Sequence, residues 1–415
     1  MLKFILIHFA LFIFTQITVG QEVISHKSLG NSIILHSEIL QSDREIQLYL
    51  PDNYEASSNK YPVLYVLDGQ RYFLNGITFQ QNLTWQEITP EFIIVGIITD
   101  SQKRRTLFYD DSSLFIKFLE TELIPKIHKD YRTLNQRIFF GWEMGAGLGV
   151  EILAEKPSLF TGFLLASPTH ISSDRLEKLK IRLNIKPKKN QSIYASLGKV
   201  ELWALQSMYE LDSLFLQNKT EYISWKFSLL ENENHYSTPL FTINEGLKSF
   251  FSDFGPLRFF SLNEFKNFGG LPALKKHYAK RGEKYQIDNE IHDDTKHYLF
   301  LQSVKENDFE LFQELIKEFD GKTFIANYYN QAHWFTRFST FYLSNESYTD
   351  AIEILELGLS KFPQASIIHN EMGNYFKTKG QVKEAKEWYN KAIRIAEMNH
   401  EKELFDYKIN LDSLR

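Results

Sequence analysis

The 415-residue sequence contains no cysteine. This absence excludes disulfide bonds, catalysis by a thiol and a lipid anchor on cysteine. Basic residues are also not in excess, because 47 lysines and arginines stand against 52 acidic residues and the formal net charge is −5. A chain of this charge gives no reason to expect nucleic acid or an anionic membrane surface as a partner.

Long apolar runs are scarce as well, and the one at the N-terminus is short. It covers residues 4–14, follows Lys3, and is followed by Thr18 and Gly20, which suit cleavage before Gln21. A membrane anchor would need about 20 apolar residues. We therefore expect a cleaved signal peptide over residues 1–20, a secreted or periplasmic protein, and no membrane span after cleavage.

Strand and helix patterns alternate between residues 22 and 254. The segments YPVLYVLDG (61–69) and EFIIVGIITD (91–100) are nearly continuous apolar runs closed by turn residues, as in strands buried on both faces of a sheet. The segment LFIKFLETELIPKIHKDY (114–131) has apolar residues at helical spacing. This alternation predicts an α/β domain with a doubly wound, mostly parallel sheet.

The C-terminal part of the sequence has no convincing strand pattern. Phe341 matches Tyr375 and Ala351 matches Ala385, each pair 34 residues apart, which is the tetratricopeptide period of two helices per unit. We predict a linker over residues 255–270 and an all-α helical-hairpin domain over residues 271–415, with tetratricopeptide-like repeats at about 331–397. Such repeats offer a concave face to a peptide or protein partner. Alternatively, the helices only cover the first domain.

The segment RIFFGWEMGAGLGVEILAEKP (137–157) reads as a strand, a sharp glycine turn and a helix. The turn Gly141-Trp142-Glu143-Met144-Gly145 has the spacing of the Gly-x-Ser-x-Gly nucleophile elbow, with glutamate in place of serine. No Gly-x-Ser-x-Gly occurs elsewhere in the chain. Ser167 fits the end of a strand and is expected to be structural, so the sequence offers no replacement serine.

Together with the segments at 44–73 (REIQLYLPDNYEASSNKYPVLYVLDGQRYF) and 231–251 (ENENHYSTPLFTINEGLKSFF), this elbow resembles the esterases of the esterase D type within the α/β-hydrolases. The resemblance runs over about residues 35–251. It implies hydrolysis of carboxylic esters, in which serine attacks the carbonyl, histidine takes its proton and an acid orients the histidine. A small-molecule acyl ester is therefore the expected ligand.

Carried over to this chain, the resemblance makes His235 the base and places Glu143 at the nucleophile position. Glu201 is the first choice for the acid, and Asp212 is the alternative. Backbone N–H groups are expected to form the oxyanion hole; they belong to Met144, Gly69 and Gln70.

Three interpretations of Glu143 remain open. Its carboxylate could fold into the vacant oxyanion hole at the helix N-terminus and pair with protonated His235, which would leave a catalytically impaired binding or scaffolding protein. It could act as a nucleophile, but attack on an ordinary ester would form an anhydride, so the substrate would have to differ. It could also act as a general base for water. We expect an impaired hydrolase.

No cofactor and no metal site are predicted. His292, Asp293, Asp294 and His297 carry potential metal ligands, but the expected arrangement is a helix capped by Asp293 or Asp294 with His297 on its surface. The residues Arg104 and Arg105 follow a predicted strand and could bind a substrate carboxylate. A solvated pair is the expectation for these two arginines.

Overall fold

The computed structural model describes residues 29–185 and 190–414. The signal peptide expected over residues 1–20 lies outside these residues. Within them, no helix has both the length and the apolar character needed to cross a membrane.

In the described part of the chain, eight strands form a single sheet in the order β1-β2-β4-β3-β5-β6-β7-β8. The strands β1 and β4 pair antiparallel with β2, and the other neighbours are parallel, which confirms the predicted mostly parallel sheet. The strands are β1 Asn31–Ser37, β2 Ser42–Tyr49, β3 Tyr61–Leu67, β4 Ile93–Ile97, β5 Thr133–Trp142, β6 Gly162–Ala166, β7 Gln191–Gly198 and β8 Ile223–Leu230.

Helices cover both faces of this sheet, which explains why every residue of β3, β4 and β6 is buried. Successive residues of a strand point to opposite faces, so Leu64 and Val66 pack on one side with α1 and α7, while Val63 and Tyr65 pack on the other with α2 to α6. The helices are α1 Gly69–Trp85, α2 Ser112–Phe118, α3 Ile124–Asp130, α4 Met144–Glu155, α5 Ser173–Leu183, α6 Leu202–Gln217 and α7 Thr238–Phe250.

The helix predicted over residues 114–131 is interrupted. A π-helical turn, Leu119–Leu123, lies between α2 and α3, and a second π-helical turn, Thr106–Asp110, precedes α2. Pro125 stands in the first turn of α3 and has no N–H to donate to the preceding turn. The hydrogen-bonding pattern therefore changes just before it.

Helices alone make up the described chain after the sheet, as predicted. They are α8 Leu262–Phe268, α9 Gly270–Tyr285, α10 Asp293–Lys305, α11 Phe309–Glu318, α12 Gly321–Tyr328, α13 Ala332–Ser344, α14 Tyr348–Lys361, α15 Ser366–Thr378, α16 Val382–Asn399 and α17 Leu404–Asp412. The short helix α8 lies inside the range predicted as a linker. Helices α13 and α15 begin 34 residues apart, and so do α14 and α16. An aromatic core that includes Phe300, Phe312 and Phe338 holds α10, α11 and α13 together.

The start of α10 differs from the prediction. The cap is His292, whose Nδ1 accepts a hydrogen bond of 3.1 Å from the N–H of Asp294, so the expected cap by Asp293 or Asp294 was wrong. His297 is half-buried rather than on the surface, with its Nδ1 3.0 Å from the hydroxyl of Tyr329. No group of three or more potential metal ligands is found over residues 29–185 and 190–414.

The helical region is joined to the α/β domain through α9. Tyr285 is 2% exposed and packs into the core on the α1 side of the sheet. Its hydroxyl donates a hydrogen bond of 2.6 Å to Asp253, which also pairs with Lys284 at 2.8 Å. Gln136, at the start of β5, donates to the carbonyl of Lys284 at 2.9 Å. These contacts fix the end of α9 against the amino-terminal edge of the sheet.

Candidate active site

The elbow has the geometry that its sequence predicts. Strand β5 ends at Trp142, helix α4 begins at Met144, and Glu143 between them has φ 57° and ψ −118°. This backbone conformation is rare for any residue other than glycine. Hydrogen bonds hold it on both sides, because the N–H of Glu143 donates to Ala166 at 3.0 Å and its carbonyl accepts from Thr169 at 3.2 Å.

The glycine before the turn is required by close packing. A Cβ on Gly141 would lie 2.4 Å from the carbonyl oxygen of Gly145, which no side chain can tolerate. Further along the helix, a Cβ on Gly147 would lie 2.0 Å from the carbonyl oxygen of Thr169. The glycine frame typical of a nucleophile elbow is therefore present around Glu143.

The carboxylate of Glu143 is paired with Arg104. Its Oε2 accepts a hydrogen bond of 2.6 Å from Nη1 of Arg104, while Nε and Nη2 of the same guanidinium donate to Asp68 at 3.0 and 2.9 Å. The side chain of Asp68 is fully buried, and that of Glu143 is 24% exposed. Burial lowers the pKa of Arg104, but the two carboxylates outweigh it, so the net pKa lies above the ordinary value. One cation therefore joins the elbow to the loop after β3.

The expectation of a solvated arginine pair was wrong for Arg104. This residue is 8% exposed, and its guanidinium lies 5.2 Å from the ring centre of Trp142 and 5.7 Å from that of Phe108. Arg105 is exposed and forms a surface ion pair of 3.4 Å with Asp110. The ion pair of Arg104 with Asp68 could have been predicted from the sequence. The two residues follow adjacent parallel strands, whose carboxyl ends lie at the same edge of the sheet.

His235 and Glu201 are brought together, as proposed for the base and the acid. The imidazole Nδ1 donates to Oε2 of Glu201 at 2.7 Å. The other oxygen, Oε1, accepts from the hydroxyl of Ser167 at 2.8 Å and from the N–H of Gly198 at 2.9 Å. Burial raises the pKa of Glu201, but the hydrogen bonds from His235, Ser167 and Gly198 outweigh it and lower the net pKa. The anionic carboxylate is thus oriented to hold the imidazole.

Other candidate residues lie elsewhere or have different partners. Asp212 accepts a hydrogen bond of 2.7 Å from Nε1 of Trp225, so of the two acids left open it is Glu201 that contacts His235. Ser167 is buried against Glu201 and is not available to a ligand.

The sequence analysis left open that the Glu143 carboxylate fills the oxyanion hole and bonds to His235 and to the N–H of Met144. The structure does not show this arrangement. Within the described residues, the carboxylate of Glu143 has Arg104 as its hydrogen-bond partner. The Glu143 carboxylate thus pairs with a guanidinium, and among the described residues no hydrogen bond joins it to His235 or to the N–H of Met144.

The N–H groups expected to form the oxyanion hole lie at two helix N-termini. Met144 is the first residue of α4, and Gly69 and Gln70 are the first two of α1. The first N–H groups of a helix have no intrahelical acceptor and favour negative charge. The side chain of Gln70 is held by two hydrogen bonds to the backbone of Thr99, at 2.8 and 3.1 Å. Since β3 and β5 are adjacent parallel strands, both helices begin at the same edge of the sheet.

Aromatic side chains surround His235. The sequence analysis did not identify these aromatic residues as part of the site. Ring centres lie at 4.8 Å for Trp142, 5.1 Å for Trp203 and 5.4 Å for Tyr236. The indole of Trp142 also donates to the carbonyl of His235 at 2.9 Å, which fixes the loop. Trp203 is 61% exposed and Tyr236 is 73% exposed. His235 therefore lies beside an exposed aromatic rim, formed by Trp203 and Tyr236, which is accessible to a ligand.

Comparison with known families agrees with this architecture. The family model described as "Putative esterase" matches residues 37–249, just over half of the chain. The chain belongs to this esterase family. A relative in Bacillus subtilis (strain 168), the uncharacterized protein YbbA, is 23% identical over 181 residues, which cover 40% of this chain and 72% of the relative.

Solved structures with low sequence identity have the same fold. An IroE-like serine hydrolase from Shewanella oneidensis is 21% identical with a TM-score of 0.54, and the match covers 69% of this chain and 97% of that one. An uncharacterised protein from Capnocytophaga ochracea is 16% identical with a TM-score of 0.57, and the match covers 88% of this chain and 93% of that one. The second match extends beyond the sheet into the helices that follow it.

Proposed function

We propose that this protein binds esters in the cleft at the elbow and hydrolyses them poorly. Membership of the esterase family supports an ester as the ligand. The observation that carries the proposal is the 2.6 Å ion pair between Glu143 and Arg104 at the position of the nucleophile. A serine hydroxyl at this position would pass its proton to the histidine, whereas a carboxylate paired with a guanidinium has no proton to give.

Direct attack by Glu143 is unfavourable for two reasons. The carboxylate would have to leave Arg104, and the product with an ordinary ester would be an anhydride, which is uphill. Loss of the ion pair would also leave Nη1 of Arg104 without its acceptor in a largely buried position, since the Arg104 side chain is 10% exposed. Both steps raise the barrier, which supports a binding protein over a carboxylate nucleophile.

A second candidate function is slow hydrolysis by water that His235 activates. The hydrogen bond between His235 and Glu201 favours it, because an imidazole oriented by a carboxylate is a competent general base. In this case the N–H groups of Met144 and of the loop Gly69–Gln70 would stabilise the oxyanion, and Glu143 would take no part.

The exposed aromatic rim supports an ester with an aromatic or long apolar group. Trp203 and Tyr236 offer ring faces beside the base, and aromatic contacts of this kind favour other rings at centre distances of about 4.5–7 Å. The Shewanella structure, which is named as a serine hydrolase, supports a hydrolytic origin for the cleft.

We also propose that residues 1–20 direct export and that α13 to α16 form two tetratricopeptide-like units. The 34-residue offset between equivalent helices supports such units, which would provide a surface for a peptide or protein. Sequencing the N-terminus of the exported protein tests the first statement, since cleavage should leave Gln21 as the first residue.

Binding without turnover is the direct test of the proposed function. The mature protein is titrated with a phenyl ester of a medium-chain acid, while tryptophan fluorescence reports binding and chromatography of the same sample reports cleavage. We expect saturable quenching, because Trp142 and Trp203 adjoin His235, with the ester recovered intact. Absence of saturable binding across a panel of esters would contradict the proposal.

A further inference from the structure

A cavity with a volume of about 320 Å³ lies where the α/β domain meets the helical region. Tyr61, Pro62 and Leu134, at the amino-terminal ends of β3 and β5, form part of its wall. The elbow lies at the opposite, carboxyl-terminal edge of the same strands. The cavity is therefore separate from the candidate active site, and its volume is at the lower end of the roughly 300–1,000 Å³ that ligand pockets occupy.

Arg281 of α9 lines this cavity with most of its hydrogen-bonding capacity unused. The residue is 8% exposed, and its Nε is buried with no hydrogen-bond partner in the described chain. Its Nη1 makes one long hydrogen bond, of 3.4 Å, to the carbonyl of Phe254. A guanidinium carries five N–H donors, and a buried donor without an acceptor is unfavourable. The ring centres of Tyr278 and Phe254 lie 4.7 and 5.8 Å from Cζ of Arg281, and such cation–π contacts supply no hydrogen-bond acceptor.

The acids near Arg281 do not satisfy these donors. Asp253 is paired with Lys284 and Tyr285. Glu87, in the cavity wall, forms an ion pair of 3.3 Å with His292. The wall of the cavity holds the carboxylates of Glu87 and Glu91, which make it unfavourable for a strongly charged anion such as phosphate, whereas a single carboxylate matches the geometry of one guanidinium.

Apolar residues form much of the rest of the wall, beside polar residues that include Lys60, Thr89 and Glu91. The apolar residues come from the α/β domain, from the segment before α8 and from the residues after α9, and they are Pro62, Pro90, Leu134, Phe254, Pro256 and Ile287. We infer that the cavity binds a small organic acid, whose carboxylate pairs with Arg281 and whose hydrocarbon part packs against these residues. A bound acid would contact both parts of the chain at their junction.

The test uses the mature full-length protein and four probes: 3-phenylpropionate, octanoate and the uncharged amide of each. Isothermal titration calorimetry measures their affinities for the wild type, Arg281→Met and Arg281→Lys. We expect at least one acid to bind the wild type at least about tenfold more tightly than its amide, since a hydrogen bond to a charged group is worth about 1.5–3 kcal/mol. Arg281→Met should lose this preference, and Arg281→Lys should keep part of it.

Two further variants make the result independent of folding defects in Arg281→Met. Ile287→Trp reduces the cavity from another wall and should weaken binding of the acids while Arg281 is kept. Arg71→Met removes an arginine that lies over Trp142 in the elbow cleft, 5.4 Å from the ring centre, and should leave binding unchanged. Equal affinity for acid and amide, no binding of any probe, or a loss confined to Arg71→Met would overturn the inference.

Discussion

Replacing Arg104 by methionine should destabilise the α/β domain strongly. The change keeps an apolar stem between Trp142 and Phe108 but leaves Asp68, which is fully buried, without a counter-charge. Removing one partner of a buried ion pair costs about 3–5 kcal/mol. The free energy of unfolding, measured by urea titration at pH 7 with tryptophan fluorescence, should fall by this amount.

The pH dependence of this loss follows from Asp68. Even beside Arg104, burial raises the pKa of Asp68, and without the guanidinium the folded-state pKa should rise further above that of the unfolded chain. An acid with a raised folded-state pKa contributes stability below its unfolded pKa, near about 3.9, and loses it as the pH rises through the folded value. The difference between wild type and Arg104→Met should therefore shrink as the pH is lowered.

Arg105→Met is the matched control, because its ion pair lies at the surface. It should change the free energy of unfolding by no more than about 0.5 kcal/mol. Asp68→Asn in the Arg104→Met background should recover part of the lost stability, since it removes the unpaired charge. A loss below about 1 kcal/mol for Arg104→Met, or one equal to that of Arg105→Met, would refute the coupling of Asp68, Arg104 and Glu143.

Three further predictions concern Glu201, the aromatic rim and the helical core. The pKa of Glu201 is lowered in the folded protein. Its contribution to stability is therefore present above its ordinary pKa, near about 4.3, and is lost as the pH falls through the folded-state pKa. Glu201→Gln should flatten the acid limb of a plot of unfolding free energy against pH, and an unchanged limb would contradict this. Trp203→Ala should change the free energy of unfolding by no more than about 0.5 kcal/mol. It should weaken binding of an aryl ester by about threefold or more, as measured by calorimetry. Equal affinity of the wild type and the variant would show that the aromatic rim does not bind the ester. Phe312 is fully buried among the helices, so Phe312→Ala should lower the free energy of unfolding by about 3–5 kcal/mol, as measured by urea unfolding followed by circular dichroism. Phe260 is exposed, so Phe260→Ala should cost about 0.5 kcal/mol or less. Equal losses would contradict the assigned core.

The sheet was predictable because its central strands carry their own signal. Segments such as YPVLYVLDG are apolar at almost every position, and only a strand covered on both faces buries all of them. The elbow was predictable for a different reason, since the close contact that requires glycine at position 141 is with Gly145, within the turn itself. The interruption of the helix over residues 114–131 was missed because the helical spacing of apolar residues continues past Pro125.

The partner of Glu143 could not be predicted from the elbow alone. Arg104 is 39 residues away, and its position depends on how the loop after β4 folds back over the edge of the sheet. The choice between Glu201 and Asp212 was open for a similar reason. Both follow β7 at plausible spacing, and only the turn at Gly198, whose N–H binds Glu201, directs that carboxylate toward His235.

We propose that the ion pair of Glu143 with Arg104 takes the place of the nucleophile, while the pairing of His235 with Glu201 persists. The most direct test is hydrolysis of a panel of activated short- and long-chain acyl esters by the mature wild type, Glu143→Ser, His235→Ala and the double variant. Glu143→Ser keeps the Arg104–Asp68 pair and supplies a hydroxyl, so we predict little or no turnover by the wild type, a gain of at least about tenfold in Glu143→Ser, and loss of that gain in the double variant. Turnover by the wild type that disappears in His235→Ala, with no gain in Glu143→Ser, would contradict the account.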